Sequence, residues 1–583
     1  MRKQQAPSTR FHLPATRYGG HVARSGQAGL VFAAFGALAC SMLQAQGRGG
    51  GEWTTSGFDA QRTGTIRTDS RISVQTMQTP GEFGAFKFLW KLKLEHDPKA
   101  ATTLTQPILL DRLIGFRGFK SIAFVATASE TVHAIDIDFG TPLWKHHINY
   151  SASPPPVPGL TADCPGGLTT ALSRPTNIAP AAFGGGGAGG GRGGRSGGGV
   201  GEPGKGAITL ATAGQPRGGG PGGPGGPGAR GAGAPGTVPG SAAAAAGAVP
   251  GALPAGAGAG GAGRGGTFVP GADAAYVVGS DGYLHALNVQ NGWDNMPPTL
   301  FLPANTRATG LIVGAMPDGA SIAYAATTHG CGSQPDAVWA MELGSDKKAA
   351  TAFEAKGATI AGSAGLALGR DGTVYFATTA GPSSMSNAMV ALEPKTLKLK
   401  GSATVPEADF TSSPLVFQWN DKDVVMTAGK GKLFLFDSTA LQSGPIAATP
   451  ATATEKLNAA ALASWQDAAG MRWVALPSAR GIVTYRIAEQ NGTVAFQRAW
   501  TSRDIAAPLA PVVVNGVLFM ASSGTRALPS VLYAIDAATG KDLWNSGRTI
   551  TSTVRGGLSA GQGNVYVPGA DSTLYAFGFN IEK

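Results

Sequence analysis

The chain has 583 residues, 89 of them Gly, with 14% charged residues and a formal net charge of +11. With 43% hydrophobic residues and a mean hydropathy near zero, it is neither wholly disordered nor a polytopic membrane protein. The glycines follow no three-residue period, which excludes collagen. The positive charge would suggest a nucleic-acid or membrane-surface partner if it were spread over a folded body, but it is concentrated in two stretches.

The first stretch is the N-terminus. Residues 1–45 hold Arg2, Lys3, Arg10, Arg17 and Arg24 and no acid. An uncharged run over 28–43 follows, and at about 16 residues it suits a signal-peptide core better than a membrane span of about 20. A signal peptide over 1–45, cleaved after Ala45, is expected, and with it export to the periplasm or the cell exterior. An uncleaved signal anchor is one alternative. A lipid anchor at Cys40 is another, although Ala37 stands where a lipoprotein box has Leu. No transmembrane span is expected in the mature chain. Cleavage leaves Cys164 and Cys331, compatible with one disulfide or with two buried free thiols.

An entry segment over 46–85 precedes Phe86-Lys87-Phe88-Leu89-Trp90-Lys91-Leu92, an alternating strand with no obvious partner nearby. A recurring pattern then begins: a β-rich strand, a turn, and a second strand ending in Ala-aliphatic-acid. Phe124–Thr127 leads to His133-Ala134-Ile135-Asp136, then Gly140 and Trp144. The next copies centre on Tyr276 and Ala286, Tyr324 and Ala340, Tyr375 and Ala391, Val425 and Leu435, and Val474 and Val483. Phe519 and Ala534 follow, with Asp536, Gly540 and Trp544, and the last copy centres on Tyr566 and Ala576. Intervals of roughly 42–54 residues with four short strands each are the arithmetic of a propeller blade. An all-β, eight-bladed β-propeller of four-stranded blades is expected. The strand at 86–92 would complete the last blade and close the ring. The copy at 472–500 reads as degenerate, which leaves a seven-blade count open.

One interval is far longer, because 184–266 is a Gly/Ala/Pro-rich insertion with about 37 of the glycines and the second cluster of basic residues. It should be disordered and should divide the propeller into 86–183 and 267–583. Its Gly199–Lys205 match to a phosphate loop is rejected, since Gly206 replaces the required Ser/Thr and no strand precedes it. Arg192-Gly193-Gly194-Arg195 resembles RNA-binding tracts, but export argues against a nucleic-acid partner.

Ala534-Ile535-Asp536-Ala537-Ala538-Thr539-Gly540-Lys541-Asp542-Leu543-Trp544 resembles the tryptophan-docking repeat of pyrroloquinoline-quinone (PQQ) type propellers, and Ala134, Asp136, Gly140 and Trp144 form a looser match. Trp53-Thr54-Thr55-Ser56-Gly57-Phe58-Asp59-Ala60-Gln61-Arg62-Thr63-Gly64 is similar to the entry segment of that family. The resemblance implies that Trp144 and Trp544 stack on the following blade and bond its backbone, with Gly140 and Gly540 making turns. It also implies one of two roles, a quinoprotein dehydrogenase or a non-catalytic scaffold. The dehydrogenases hold the quinone under a ring of adjacent cysteines, above a Trp and beside a calcium site. No adjacent cysteines or haem-attachment motif occur here, and no calcium ligands can be placed on a motif.

A binding or assembly scaffold without cofactor is therefore the leading expectation. The alternatives are an alcohol or sugar dehydrogenase using PQQ and calcium through divergent ligands, and a surface polymer-binding propeller. The partner would be a protein or a cell-envelope polymer, met through a loop face by a monomer. Asp136, Glu342, Glu393, Asp437 and Asp536 recur once per blade and read as strand-end residues. His133, His285 and His329 read as packing residues before metal ligands. Cys164 and Cys331 fall in loop classes that open on the same face, so a disulfide between them is topologically permitted.

Overall fold

The computed structural model describes residues 52–96, 103–148, 164–178, 273–450 and 460–580, apart from 83, 116, 117, 165, 407 and 421. The expected signal peptide over 1–45 and the Gly-rich insertion over 184–266 lie outside them. The described residues form eight small, mainly antiparallel sheets, the blades of an eight-bladed propeller. Blade 1 comprises Ile108–Gly115, Gly118–Ala126, Thr131–Asp136 and Thr141–His147. Blade 2 follows over 274–300, and blades 3 to 7 span 307–354, 366–404, 415–448, 463–501 and 512–545.

The second and third strands of each blade carry the repeat, and most are buried on both faces, as Ala274–Val278 and Val517–Ala521 are at every position. This is why they read as nearly continuous apolar runs rather than as an alternating pattern. The apolar clusters sit between neighbouring blades: blades 3 and 4 share Tyr324, Ile322, Leu366 and Phe376, and blades 6 and 7 share Trp465, Ala475, Leu518 and Ile535.

Blade 8 takes three strands from the C-terminus, Ser559–Gly561, Asn564–Pro568 and Thr573–Gly578. Its outer strand is Lys87–Lys93, paired antiparallel with Thr573–Gly578. The ring is thus closed by chain ends nearly 490 residues apart, and the edge of the last hairpin is covered.

Two readings of the sequence need correction. The segment 472–500 is not degenerate: it belongs to a regular four-stranded blade 6. Its third and fourth strands, Gly481–Gln490 and Thr493–Thr501, are longer than those of other blades. The extra length displaces its tryptophan from the usual spacing. Blade 2 instead falls short of four strands among the described residues. Its outer strand is only Thr299–Leu300, just after Pro297 and Pro298, which cannot donate to a ladder. Its inner strand is reduced to a bridge between Ser173 and Tyr276.

Candidate functional site

Three tryptophans lock neighbouring blades. Trp144 of blade 1 lies over Gly292 of blade 2, and its indole N–H donates to Val289 O at 3.0 Å. Trp90, on the closing strand of blade 8, lies over Gly140 of blade 1 and donates to Ile137 O at 3.1 Å. Trp500 of blade 6 covers Gly540 of blade 7 and donates to Ala537 O at 3.0 Å. Gly140 and Gly540 have φ of +65° and +76°, a region open to Gly at no steric cost. Each presents a flat backbone patch to an indole ring. Trp544 instead packs edge-on against Phe86 and Phe577. Ala134 and Ala534 are buried in the third strands of their blades. Trp90 and Trp500 lack the four-residue spacing from a turn glycine that marks Trp144 and Trp544.

The entry segment reaches the inner strands around the ring. Trp53 O accepts from Leu109 N–H of blade 1, and Thr54 O from Arg174 N–H beside blade 2. Thr55 Oγ1 donates to Leu311 O of blade 3 at 2.6 Å. Ala60 O, Gln61 O, Thr63 O and Gly64 O accept from Leu368, Val416, Ser464 and Val513, one residue each from blades 4, 5, 6 and 7. Thr65–Ile66 pairs in parallel with the inner strand of blade 7, and Asp69 Oδ2 accepts from Gly563 N–H of blade 8 at 2.8 Å.

At the centre is Arg62, only 3% exposed. Its Nε donates to Leu366 O at 2.9 Å, and Nη2 to Gly310 O at 2.9 Å and Ala364 O at 3.3 Å. Nη1 reaches Thr55 Oγ1 at 3.0 Å and Ser56 O. Burial pulls the Arg62 pKa down to about 9, against the raising influence of Asp59. Burial also raises the Asp59 pKa, opposed by its bonds from Thr63. Arg62 therefore fastens blades 3 and 4 to the entry segment.

Cys164 and Cys331 form a disulfide with a Cα–Cα distance of 5.6 Å, closing a separation of 167 residues. Cys331 sits in a tight loop between the second and third strands of blade 3, with Gly330 and Gly332 left-handed. The buried Asp336 carboxylate holds that loop by accepting from His329 N–H at 3.0 Å and Gly330 N–H at 2.8 Å. A cross-link over so long a loop restricts the unfolded chain strongly. Replacing both cysteines by serine should lower unfolding free energy by about 2–4 kcal/mol. An unchanged denaturant midpoint for the double variant would contradict this.

His133, His285 and His329 occupy separate blades. His285 Nδ1 lies 3.0 Å from Asp294 Oδ2, and His329 Nδ1 lies 2.7 Å from Thr328 Oγ1. His133 is buried, and desolvation holds its pKa down to about 4. Its neutral form is favoured in the fold, so its contribution is fully present above the unfolded value near 6.5 and is lost as pH falls towards 4. Urea midpoints should drop over that window by the equivalent of about 2–3 kcal/mol, and His133→Gln should flatten the drop. Equal pH profiles for the two proteins would refute the assignment.

The strand-end acids do not converge. Asp136 pairs with Lys120, Asp437 with Lys422 at 3.7 Å, and Glu342 lies 4.0 Å from Lys395. Glu393 accepts from Thr396, and Asp536 from Ala538 N–H. A groove of about 740 Å³ between blades 4 and 5 is lined by Arg370, Asp371, Lys400, Lys422 and Asp423 among others. Several of its charges are matched locally, as in the 2.9 Å Lys400–Asp371 pair.

The quinone cradle implied by the resemblance does not fit these residues. The bonded cysteines are far apart in sequence rather than adjacent. Among the described residues no cluster of three His, Cys, Asp or Glu side chains could hold a metal ion.

Residues 479–581 match the family model described as outer membrane protein assembly factor BamB. No curated protein matches the chain. Among solved structures, quinohemoprotein alcohol dehydrogenase from Comamonas testosteroni aligns at 13% identity and TM-score 0.52, over 93% of this chain and 82% of that one. A quinohemoprotein alcohol dehydrogenase from Pseudomonas putida HK5 aligns at 13% identity and TM-score 0.51, over 91% of this chain and 81% of that one. A europium-containing methanol dehydrogenase aligns at 10% identity and TM-score 0.51, over 92% of this chain and 100% of that one. At such identities the likeness is one of fold. Together with the eight closed blades, it gives this chain the β-propeller fold of those quinoproteins, with residues 479–581 similar to the PQQ-like repeat family.

Proposed function

We propose that the chain is an exported, non-catalytic scaffold that binds or assembles a partner through a loop face of the propeller. The observation that carries this reading is the fate of its cysteines. None of the three is adjacent to another, and Cys164 and Cys331 are bonded across loops, so no vicinal ring exists to cover a quinone. The entry segment supports the reading from the other side, because its polar groups tie down the inner strands rather than converge on a substrate. The family model matched over 479–581 carries the name of an assembly factor, which agrees with the scaffold class. Among the described residues no helix is long and apolar enough to cross a membrane. Export itself rests on the N-terminal pattern.

The test is reconstitution of the purified chain with PQQ and calcium, followed by absorbance titration and dye reduction with alcohols and aldoses. No saturable quinone binding and no dye reduction are expected. Saturable, quinone-dependent turnover would replace the scaffold reading with the dehydrogenase one.

A further inference from the structure

The loops of blades 6 to 8 on the disulfide-bearing face form one connected surface. Ile505 N–H donates to Arg480 O, joining the blade 6 hairpin to the next connector, and Ser523 N–H donates to Ala507 O, joining that connector to the blade 7 hairpin. Val554 N–H donates to Ser523 O and Ser530 N–H to Ser552 O, which adds the connector into blade 8. Ala570 N–H donates to Thr553 O, which adds the blade 8 hairpin.

The charge on this surface is one-sided. Its loops carry Arg480, Arg503, Arg526, Arg548 and Arg555 against Asp504 and Asp571, with no Lys or Glu. Both acids are already engaged, Asp504 with Arg480 at 2.7 Å and Asp571 with Lys93 at 3.6 Å. Arg503 turns to Asp542 at 3.2 Å. Arg526, Arg548 and Arg555 remain exposed, and no ion pair forms with them among the described residues. The corresponding hairpin of blade 4, residues 378–387, has no charged residue at all, so the ridge is not a general property of the fold.

An apolar tip stands on the same loop as Arg526. Leu528 is 74% exposed, yet its loop is fixed: Thr525 N–H donates to Leu528 O at 2.7 Å, Leu528 N–H donates to Thr525 Oγ1 at 3.0 Å, and Ser530 Oγ donates to Ser523 O at 2.8 Å. A pre-ordered apolar side chain on the loop of Arg526, joined by hydrogen bonds to the connector that carries Arg548 and Arg555, has the ingredients of a protein–protein hot spot. Arginine rather than lysine suits bidentate pairing with carboxylates. A lipid surface would want more than one inserting side chain for stable attachment.

We propose that this ridge docks an acidic protein segment, with its carboxylates on Arg526, Arg548 and Arg555 and an apolar side chain against Leu528. The proposal rests on the scaffold reading and supplies its partner class. The experiment measures binding of the full chain to a fluorescein-labelled peptide of repeated Glu-Glu-Leu triplets and to vesicles containing phosphatidylglycerol. The ridge variant is Arg526→Glu/Arg548→Glu/Arg555→Glu. The control, Lys347→Glu/Lys398→Glu/Lys541→Glu, makes the same charge change in turns between third and fourth strands, on the opposite face. Melting curves establish that each variant is folded, and single Arg548→Glu replaces the triple variant if that one is not. The ridge variant should bind the peptide at least about tenfold more weakly, with the control unchanged. Leu528→Asp should weaken binding several-fold. Equal peptide binding by the ridge variant and the parent, no effect of Leu528→Asp, or binding to vesicles without binding to peptide would each overturn the proposal. Quinone-dependent turnover in the same samples would overturn the scaffold reading alone.

Discussion

Arg62→Ala is expected to lower the unfolding free energy by about 3–5 kcal/mol, seen as a lower denaturant midpoint with an unchanged slope. The guanidinium is nearly inaccessible and serves the carbonyls of Ser56, Gly310, Ala364 and Leu366 as well as the Thr55 hydroxyl. Alanine removes every one of these donors and leaves a void where the buried side chain was. Part of the loss is offset, because a charge whose pKa is held down to about 9 by burial opposes folding. Arg62→Met, which fills the space without the charge, should therefore cost less than alanine. Arg62→Lys should not rescue, since a single ammonium nitrogen cannot stand at the positions of Nε, Nη1 and Nη2 at once. If Arg62→Ala kept the parental midpoint, the entry segment would not be fastened as described.

The second large effect concerns ring closure. Trp90→Ala should destabilise by about 2–4 kcal/mol, somewhat less than a fully buried aromatic because the indole is half-buried. It removes the indole bond to Ile137 O and the cover over Gly140, and it does so where the first and last blades meet. Gly140→Ala tests the same junction from the other side. A Cβ there would lie 2.5 Å from Trp90 Cδ2, at a φ of +65°. The left-handed backbone alone costs alanine about 1–2 kcal/mol, and the clash adds to it. In the Trp90→Ala background only the backbone cost remains. The double variant should thus be more stable than the sum of the singles predicts, by about 1 kcal/mol or more. Strict additivity would mean that Trp90 and Gly140 do not meet.

What the sequence reveals, and what it hides, follows from the range of each interaction. The paired central strands are legible because both their faces are buried, so each blade repeats an apolar hairpin. The closing strand is legible because 86–92 alternates and ends in Leu-Trp like a repeat. Trp500 is hidden: in blade 6 the long hairpin carries Gly492 eight residues before its tryptophan, whereas Gly540 precedes Trp544 by four. Blade 2 is hard to read because Pro297 and Pro298 interrupt its outer strand and the insertion follows its inner one. Arg62 is visible as part of an entry motif, but its role is not. Its partners Gly310, Ala364 and Leu366 lie 248 to 304 residues away, and no local pattern encodes such contacts. The exposed arginines of blades 6 to 8 are likewise scattered in sequence and become a surface only through the hydrogen bonds that join their loops.

The central claim is that the entry segment ties the inner strands of the ring together. Native-state hydrogen exchange at the amides of Leu368, Val416, Ser464 and Val513 tests it most directly. These groups donate to the entry segment across four different blades, so they should exchange only with global unfolding, and together. Arg62→Ala should raise their rates in parallel. Rapid and independent exchange at these amides in the parent protein would contradict the account, because it would mean that the segment does not hold the inner strands.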